Sequence, residues 1–98
     1  MKFVQLIEYR TSRLDELNAF LDEWLERTKG VRTSERGLQC RDRDGEDTYV
    51  EIVEFPSYEK AMENSRRPET SELAERMSKL CDEPPTFRNL DVLREEMM

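Results

Sequence analysis

Enzymatic chemistry draws on nucleophiles, proton carriers and metal ligands, and this chain of 98 residues lacks several of them. It contains no histidine and only two cysteines. Without histidine, neither a Ser-His-Asp nor a Cys-His set can be assembled, and the usual zinc-binding spacings are missing. Cys40 and Cys81 lie too far apart for a CxxC motif. Cys40 has Arg41 beside it, a charge of the kind that favours thiolate, but nothing else nearby builds a nucleophile. Asp42, Asp44 and Glu46 resemble the start of a calcium loop. Such a loop needs glycine sixth and glutamate twelfth, whereas counting from Asp42 glycine falls fourth and the twelfth residue is Val53. Glu8, Glu51, Glu54 and Asp91 can serve as proton carriers only if burial splits their pKa values. Gly30, Gly37 and Gly45 are isolated and make no phosphate loop. The residues therefore predict no metal and no nucleotide cofactor.

Charge narrows the partners. Sixteen basic residues face 23 acidic ones, for a net charge of −7. That opposes a duplex nucleic-acid partner, since phosphate binding needs a basic surface, and it opposes an anionic membrane surface. The arginines at 32, 36, 41 and 43, and the pair Arg66 and Arg67, read as solvated faces. No apolar run is long enough to span a bilayer, and the apolar run at the N-terminus is too short for a secretion signal. The expected location is the cytoplasm, with both cysteines reduced.

These residues must be positioned by elements the sequence punctuates clearly. Residues 2–10 read as a strand. Residues 13–29 read as an amphipathic helix, with Leu14, Leu17, Leu21, Trp24 and Thr28 on one stripe, Ser12 as N-cap, Asp15 as a variant capping-box partner and Gly30 at the left-handed end. A polar strand over 32–41 and a strong one over 48–55 form a hairpin through a turn in which Gly45 is free to take positive φ. The polar arm suits a sheet edge. Ser57 caps a second helical region, which Pro68 must break near Arg67 and which ends before Pro84-Pro85. Residues 86–94 read as the last strand. The whole chain, 1–98, is expected to form one α+β domain.

Side chains alternate across a strand. One parity set is aliphatic: Val4, Leu6, Val50, Ile52, Leu90 and Val92. The other is mixed and aromatic, with Phe3, Ile7, Tyr9, Tyr49, Val53, Phe55 and Phe87 among Gln5, Glu51, Asn89 and Asp91. Two helices cover one face only. Assigning the aliphatic set to the helices leaves the aromatic set, those seven residues, as the interface of a homodimer.

The element order βαββαβ suggests a ferredoxin-like fold, an antiparallel four-stranded sheet with helices on one face. The segment Tyr58-Glu-Lys-Ala-Met-Glu-Asn64-Ser-Arg-Arg-Pro68-Glu69 resembles the second helix of the dimeric α/β-barrel superfamily, particularly antibiotic-biosynthesis-monooxygenase-like domains. Members often carry an apolar run, a histidine, a proline four residues on, and another histidine. Here the proline matches as Pro68, while Asn64 and Glu69 stand at the histidine positions. The resemblance implies a homodimer whose sheets face each other, and a pocket between sheet and helices in each subunit. Among such proteins are cofactor-free oxygenases, haem-degrading enzymes and proteins without an assigned activity. The missing histidines speak against haem and against a histidine base.

Cofactor-free oxygenation needs mainly desolvation and positioning of an electron-rich substrate. Trp24, Met62, Asn64 and Met77 are the expected pocket lining. Asn64, Trp24 and Tyr58 are candidate catalytic residues, with Asn64 as a hydrogen-bond donor and Trp24 as a stacking surface for a small aromatic or hydrophobic ligand. Alternatives stay open: Trp24 as core, Asn64 as a satisfier of backbone groups at the helix break, and the chain as a non-catalytic ligand-binding, accessory or structural dimer.

Overall fold

The computed structural model describes residues 1–98. The order is β1 (Phe3–Arg10), α1 (Leu14–Arg27), β2 (Arg36–Arg41), β3 (Thr48–Phe55), α2 (Tyr58–Ser65), α3 (Pro68–Leu80) and β4 (Thr86–Asp91). The sheet is antiparallel throughout, ordered β2-β3-β1-β4. This is the ferredoxin-like α+β fold, with its second helical region divided in two. The polar strand β2 lies at an edge as expected. No helix is long and apolar enough to cross a membrane.

Local signals explain most boundaries. Ser57 Oγ accepts from the Lys60 N–H at 3.2 Å and caps α2. Pro68 opens α3 at a position where its missing N–H costs nothing. Gly30 takes φ +82° after α1. Two caps differ from expectation. Ser12 makes no cap, because Thr11 does the work: its buried Oγ1 accepts from the Arg13 N–H at 3.0 Å and donates to the Leu80 carbonyl at 2.7 Å, so one hydroxyl ties the start of α1 to the end of α3. In the hairpin turn the residue at positive φ is Asp47, not Gly45. Gly45 serves by its size: a Cβ there would sit 3.0 Å from Asp42 Oδ2.

The main correction concerns the faces of the sheet. The helices cover the aromatic parity set, not the aliphatic one. Tyr9 and Tyr49 stack at 5.7 Å and pack with Leu17, Met77 and Leu80. Phe3 and Phe55 pack with Ala61 of α2. Phe3, Tyr9 and Phe55 are each 2% exposed within one chain, so they cannot be the surface a second copy meets. Ile7 and Val53 lie on the same helix-side face and pack against these clusters. Phe87, opposite Ile7 on edge strand β4, also points to the helix side but lies beyond the helices and is exposed. The physical reason is burial: the rings remove more apolar area from water than the aliphatic set would, and Tyr9 and Gln39 supply the inward Glu51 with hydrogen bonds.

The opposite face carries Leu38, Ile52 and Leu6 in one cross-strand row and Cys40 with Val50 in the next, with Val4 opposite Leu90. No helix covers it. At its end Glu54 pairs with Lys2 at 3.0 Å and with Arg36 at 3.6 Å. Glu54, whose aliphatic parity set was expected under the helices, therefore points away from them, and Glu51, expected on the opposite face, points toward them.

Candidate functional site

The faces that enclose the core separate toward β2. There α1 overhangs β3 and β2 without filling the space, leaving a cavity of about 580 Å³. Its apolar wall comes from Ile7, Leu21, Trp24, Val53, Leu73 and Met77, and the segment from Arg32 to Gly37 forms its rim. α1 supplies Leu21 and Trp24 because they lie on its inward stripe. Glycine at 37, opposite Val53, leaves the floor at the β2 edge without a side chain.

Trp24 is half-buried rather than core, with two contacts fixing its ring and one its backbone. Its Nε1–H donates to Thr70 Oγ1 on α3 at 3.0 Å. Its carbonyl accepts from the buried Thr28 hydroxyl at 2.6 Å. The Arg32 guanidinium lies 5.7 Å from the ring centre, within cation–π range. The ring is thus held in place as a flat wall rather than as a mobile surface group.

A second wall is polar. Gln39 on β2 and Glu51 on β3 are cross-strand partners on the helix side, so their side chains meet. Gln39 Nε2 donates to Glu51 Oε1 at 2.8 Å and to Asn18 Oδ1 at 2.7 Å, while Asn18 Nδ2 returns a bond to Gln39 Oε1 at 3.2 Å. The Tyr9 hydroxyl donates to the same Glu51 Oε1 at 2.6 Å. Glu51 is the only buried carboxylate of the chain, and these bonds are what make its burial tolerable.

Burial, and then the neighbouring Glu51 carboxylate, push the Tyr9 phenol well above its ordinary range. The fold therefore favours the protonated phenol. Its contribution to stability is complete below the ordinary tyrosine pKa of about 10 and declines as pH rises beyond it, because the unfolded chain ionises first. Urea midpoints should fall more steeply between pH 8 and pH 11 for the natural protein than for Tyr9→Phe. At pH 7 the variant should be less stable by about 1–3 kcal/mol, the cost of depriving a buried carboxylate of a donor. Equal pH slopes would show that Tyr9 ionises no later in the fold than outside it.

Of the residues expected to line a pocket, Trp24 and Met77 do so; Met62 and Asn64 do not. Met62 packs at the rim of the Phe3–Phe55–Ala61 cluster. Asn64 is buried one residue before the end of α2, and its Oδ1 has no partner within the chain. Tyr58 is half-exposed, edge-on to Phe3 at 5.5 Å. Asn64 and Tyr58 are therefore not gathered around the cavity with Trp24. The residues sequence reasoning missed are Asn18 and Gln39; it names Glu51 as a proton carrier but places it on the wrong face. A signal existed: Glu51 is a polar residue in the same parity set as Tyr49, Val53 and Phe55, and a carboxylate turned inward among them needs partners.

Neither a known family model nor any curated protein sequence matches the chain. Solved structures do match its backbone. A candidate antibiotic biosynthesis monooxygenase from Caulobacter crescentus CB15 superposes with a TM-score of 0.81 at 10% identity, over 95% of this chain and 91% of that one. SnoaB, a cofactor-independent oxygenase from Streptomyces nogalater, gives 0.79 at 12% identity over 96% and 95%. A protein from Mycobacterium tuberculosis gives 0.78 at 18% identity over 99% and 100%. In backbone architecture, the chain is a ferredoxin-like domain of the kind found in antibiotic-biosynthesis-monooxygenase-like proteins.

Proposed function

We propose that residues 1–98 act as one small-molecule-binding domain of the monooxygenase-like kind, taking a flat aromatic ligand into the cavity beside Trp24 and oxygenating it without metal or flavin. The observation that carries this reading is the cavity itself. Its volume of about 580 Å³ lies within the roughly 300–1,000 Å³ of ligand sites, and it joins an apolar wall to a few convergent polar groups. The shared fold with a cofactor-independent oxygenase supports it. In such chemistry a phenol becomes a quinone: one atom of O₂ enters the ring and the other leaves as water, with all four electrons drawn from the substrate. The protein's share is to exclude water and hold the ring. Trp24, locked by Thr70, suits the second task.

Trp24 is the only tryptophan, so its fluorescence reports on this cavity alone. Polycyclic phenols should quench it saturably, and an oxygen electrode should record one O₂ consumed per phenol converted. Saturable quenching without oxygen uptake would instead identify a non-catalytic binding domain. An unresponsive Trp24 would remove the cavity as the ligand site.

We further propose that the protein is a homodimer, set in the cytoplasm where Cys40 and Cys81 stay reduced. The aliphatic face of Leu38, Ile52, Leu6, Val4 and Leu90 is uncovered in one chain, and a second copy through a twofold axis buries it against itself. The expected interface thus survives as an idea, but on the opposite parity set.

A further inference from the structure

We propose that Arg32 anchors a carboxylate, so that the aromatic ligand of the cavity is a monoacid whose charged end sits at the mouth beside Trp24. This rests on the cavity being the ligand site. By charge alone Arg32 reads as one more solvated arginine, but the fold gives it a fixed place. It lines the cavity and is half-buried. Its Nη1 donates to the Leu25 carbonyl at 2.9 Å and to Thr28 Oγ1 at 3.3 Å, both at the C-terminal end of α1. Those bonds use both N–H groups of that nitrogen, and both acceptors are neutral. Arg27, Arg36 and Arg76 each have a carboxylate partner; Arg32 has none. Its Nε and Nη2 make no hydrogen bond within the chain. They lie along one edge of the guanidinium, and that edge matches the two oxygens of a carboxylate. The bonds from Nη1 already hold the side chain, so less freedom is lost when an anion docks. The guanidinium lies 5.7 Å from the centre of the Trp24 ring, so a ligand ring stacked on Trp24 brings a substituent at its edge near the arginine. Ser34, on the same rim, has a hydroxyl without a partner in the chain and is a further donor.

The acidic residues on the lining limit the charge a ligand can bring. Glu51 belongs to the far end of the cavity. There Asn18 bonds to Gln39, the partner of Glu51, whereas Leu25 holds Arg32 at the mouth. Asn18 and Leu25 are about two helical turns apart on α1, roughly 10 Å along its axis. That is about a Debye length at physiological salt, so Glu51 offsets little of the Arg32 charge. Asp22 and Glu35 are nearer the surface and exposed, and neither pairs with Arg32. Arg36 is turned to Glu54 on the other side of the sheet. One guanidinium among these acids suits a single negative charge and opposes a double one, so a carboxylate fits better than a phosphate dianion.

Equilibrium dialysis at low salt with 2-naphthoate, 2-naphthamide and 2-naphthyl phosphate tests this. The natural protein should bind 2-naphthoate at least about tenfold tighter than the uncharged amide of the same shape, the scale of a hydrogen bond to a charged group, and tighter than the phosphate. In Arg32→Gln the preference for naphthoate over naphthamide should fall below about threefold, with the amide bound as before. Lys29→Gln removes a charge from an exposed residue off the lining and should leave the preference intact. Equal binding of acid and amide by the natural protein overturns the assignment, and that comparison needs no variant to fold. An unchanged preference in Arg32→Gln, or an equal loss in Lys29→Gln, overturns it too. Tighter binding of the phosphate overturns the choice of a carboxylate. In each of these cases the cavity still stands if Trp24→Ala abolishes binding of the amide. If Trp24→Ala binds acid and amide as the natural protein does, or the natural protein binds none of the three, the cavity is not the site, and both readings fall together.

Discussion

Ile52→Asp is expected to convert the proposed homodimer into a folded monomer. Ile52 lies at the centre of the uncovered sheet face, between Leu38 on β2 and Leu6 on β1. In one chain that face meets water, so an aspartate there costs little and the helix-side core is untouched. Between two copies the same residue becomes a buried, unpaired carboxylate on each side of the interface. Breaking even one such contact costs several kcal/mol, enough to shift a dimerisation constant by three orders of magnitude or more. Light scattering should therefore report about twice 11.8 kDa for the natural protein and a single chain for the variant, with matching far-ultraviolet circular dichroism. A natural protein that stays at one chain's mass at high concentration would refute the dimer. A variant that still dimerises would place the interface elsewhere.

The second large effect separates core from pocket. Leu17 is fully buried beneath Tyr9 and Tyr49, between α1 and α3. Leu17→Ala leaves a cavity in close-packed surroundings and should cost about 3–5 kcal/mol. That is a large share of the roughly 5–15 kcal/mol by which such domains are stable. Trp24→Ala should behave differently despite removing a bigger side chain. Trp24 is half-buried, and one of its faces borders empty space, so fewer contacts are lost. The Thr70 hydroxyl it leaves behind can find water. Its melt should fall by less than that of Leu17→Ala, while binding of an aromatic ligand, followed by calorimetry because the fluorophore is gone, should disappear. If Trp24→Ala proves the more destabilising of the two, Trp24 is a core residue, and the cavity loses its flat wall.

The two variants also show how reading a sequence differs from reading a fold. Both residues lie on the same helical stripe with the same spacing, and nothing in that pattern distinguishes them. Leu17 faces the centre of the sheet, where Tyr9 and Tyr49 come up to meet it. Trp24 lies two turns on, where α1 has moved out over the edge strand and the floor ends at Gly37. Asn64 makes the converse point. Its position before Pro68 is conspicuous in the sequence, yet α2 turns it into the protein away from the cavity and leaves its oxygen without a partner.

By itself the sequence determined the order of strands and helices and the break at Pro68, because these follow from spacing and proline geometry that act over a few residues, whereas β2 starts only at Arg36 and β4 stops at Asp91. It also determined that β2 is an edge strand and that the two parity sets lie on opposite faces. Which face the helices would cover was decided only in three dimensions. Alternation fixes opposition but not direction. Direction depends on how much apolar area the ring-bearing set removes from water, and on whether Glu51 finds Tyr9 and Gln39 once it is turned inward.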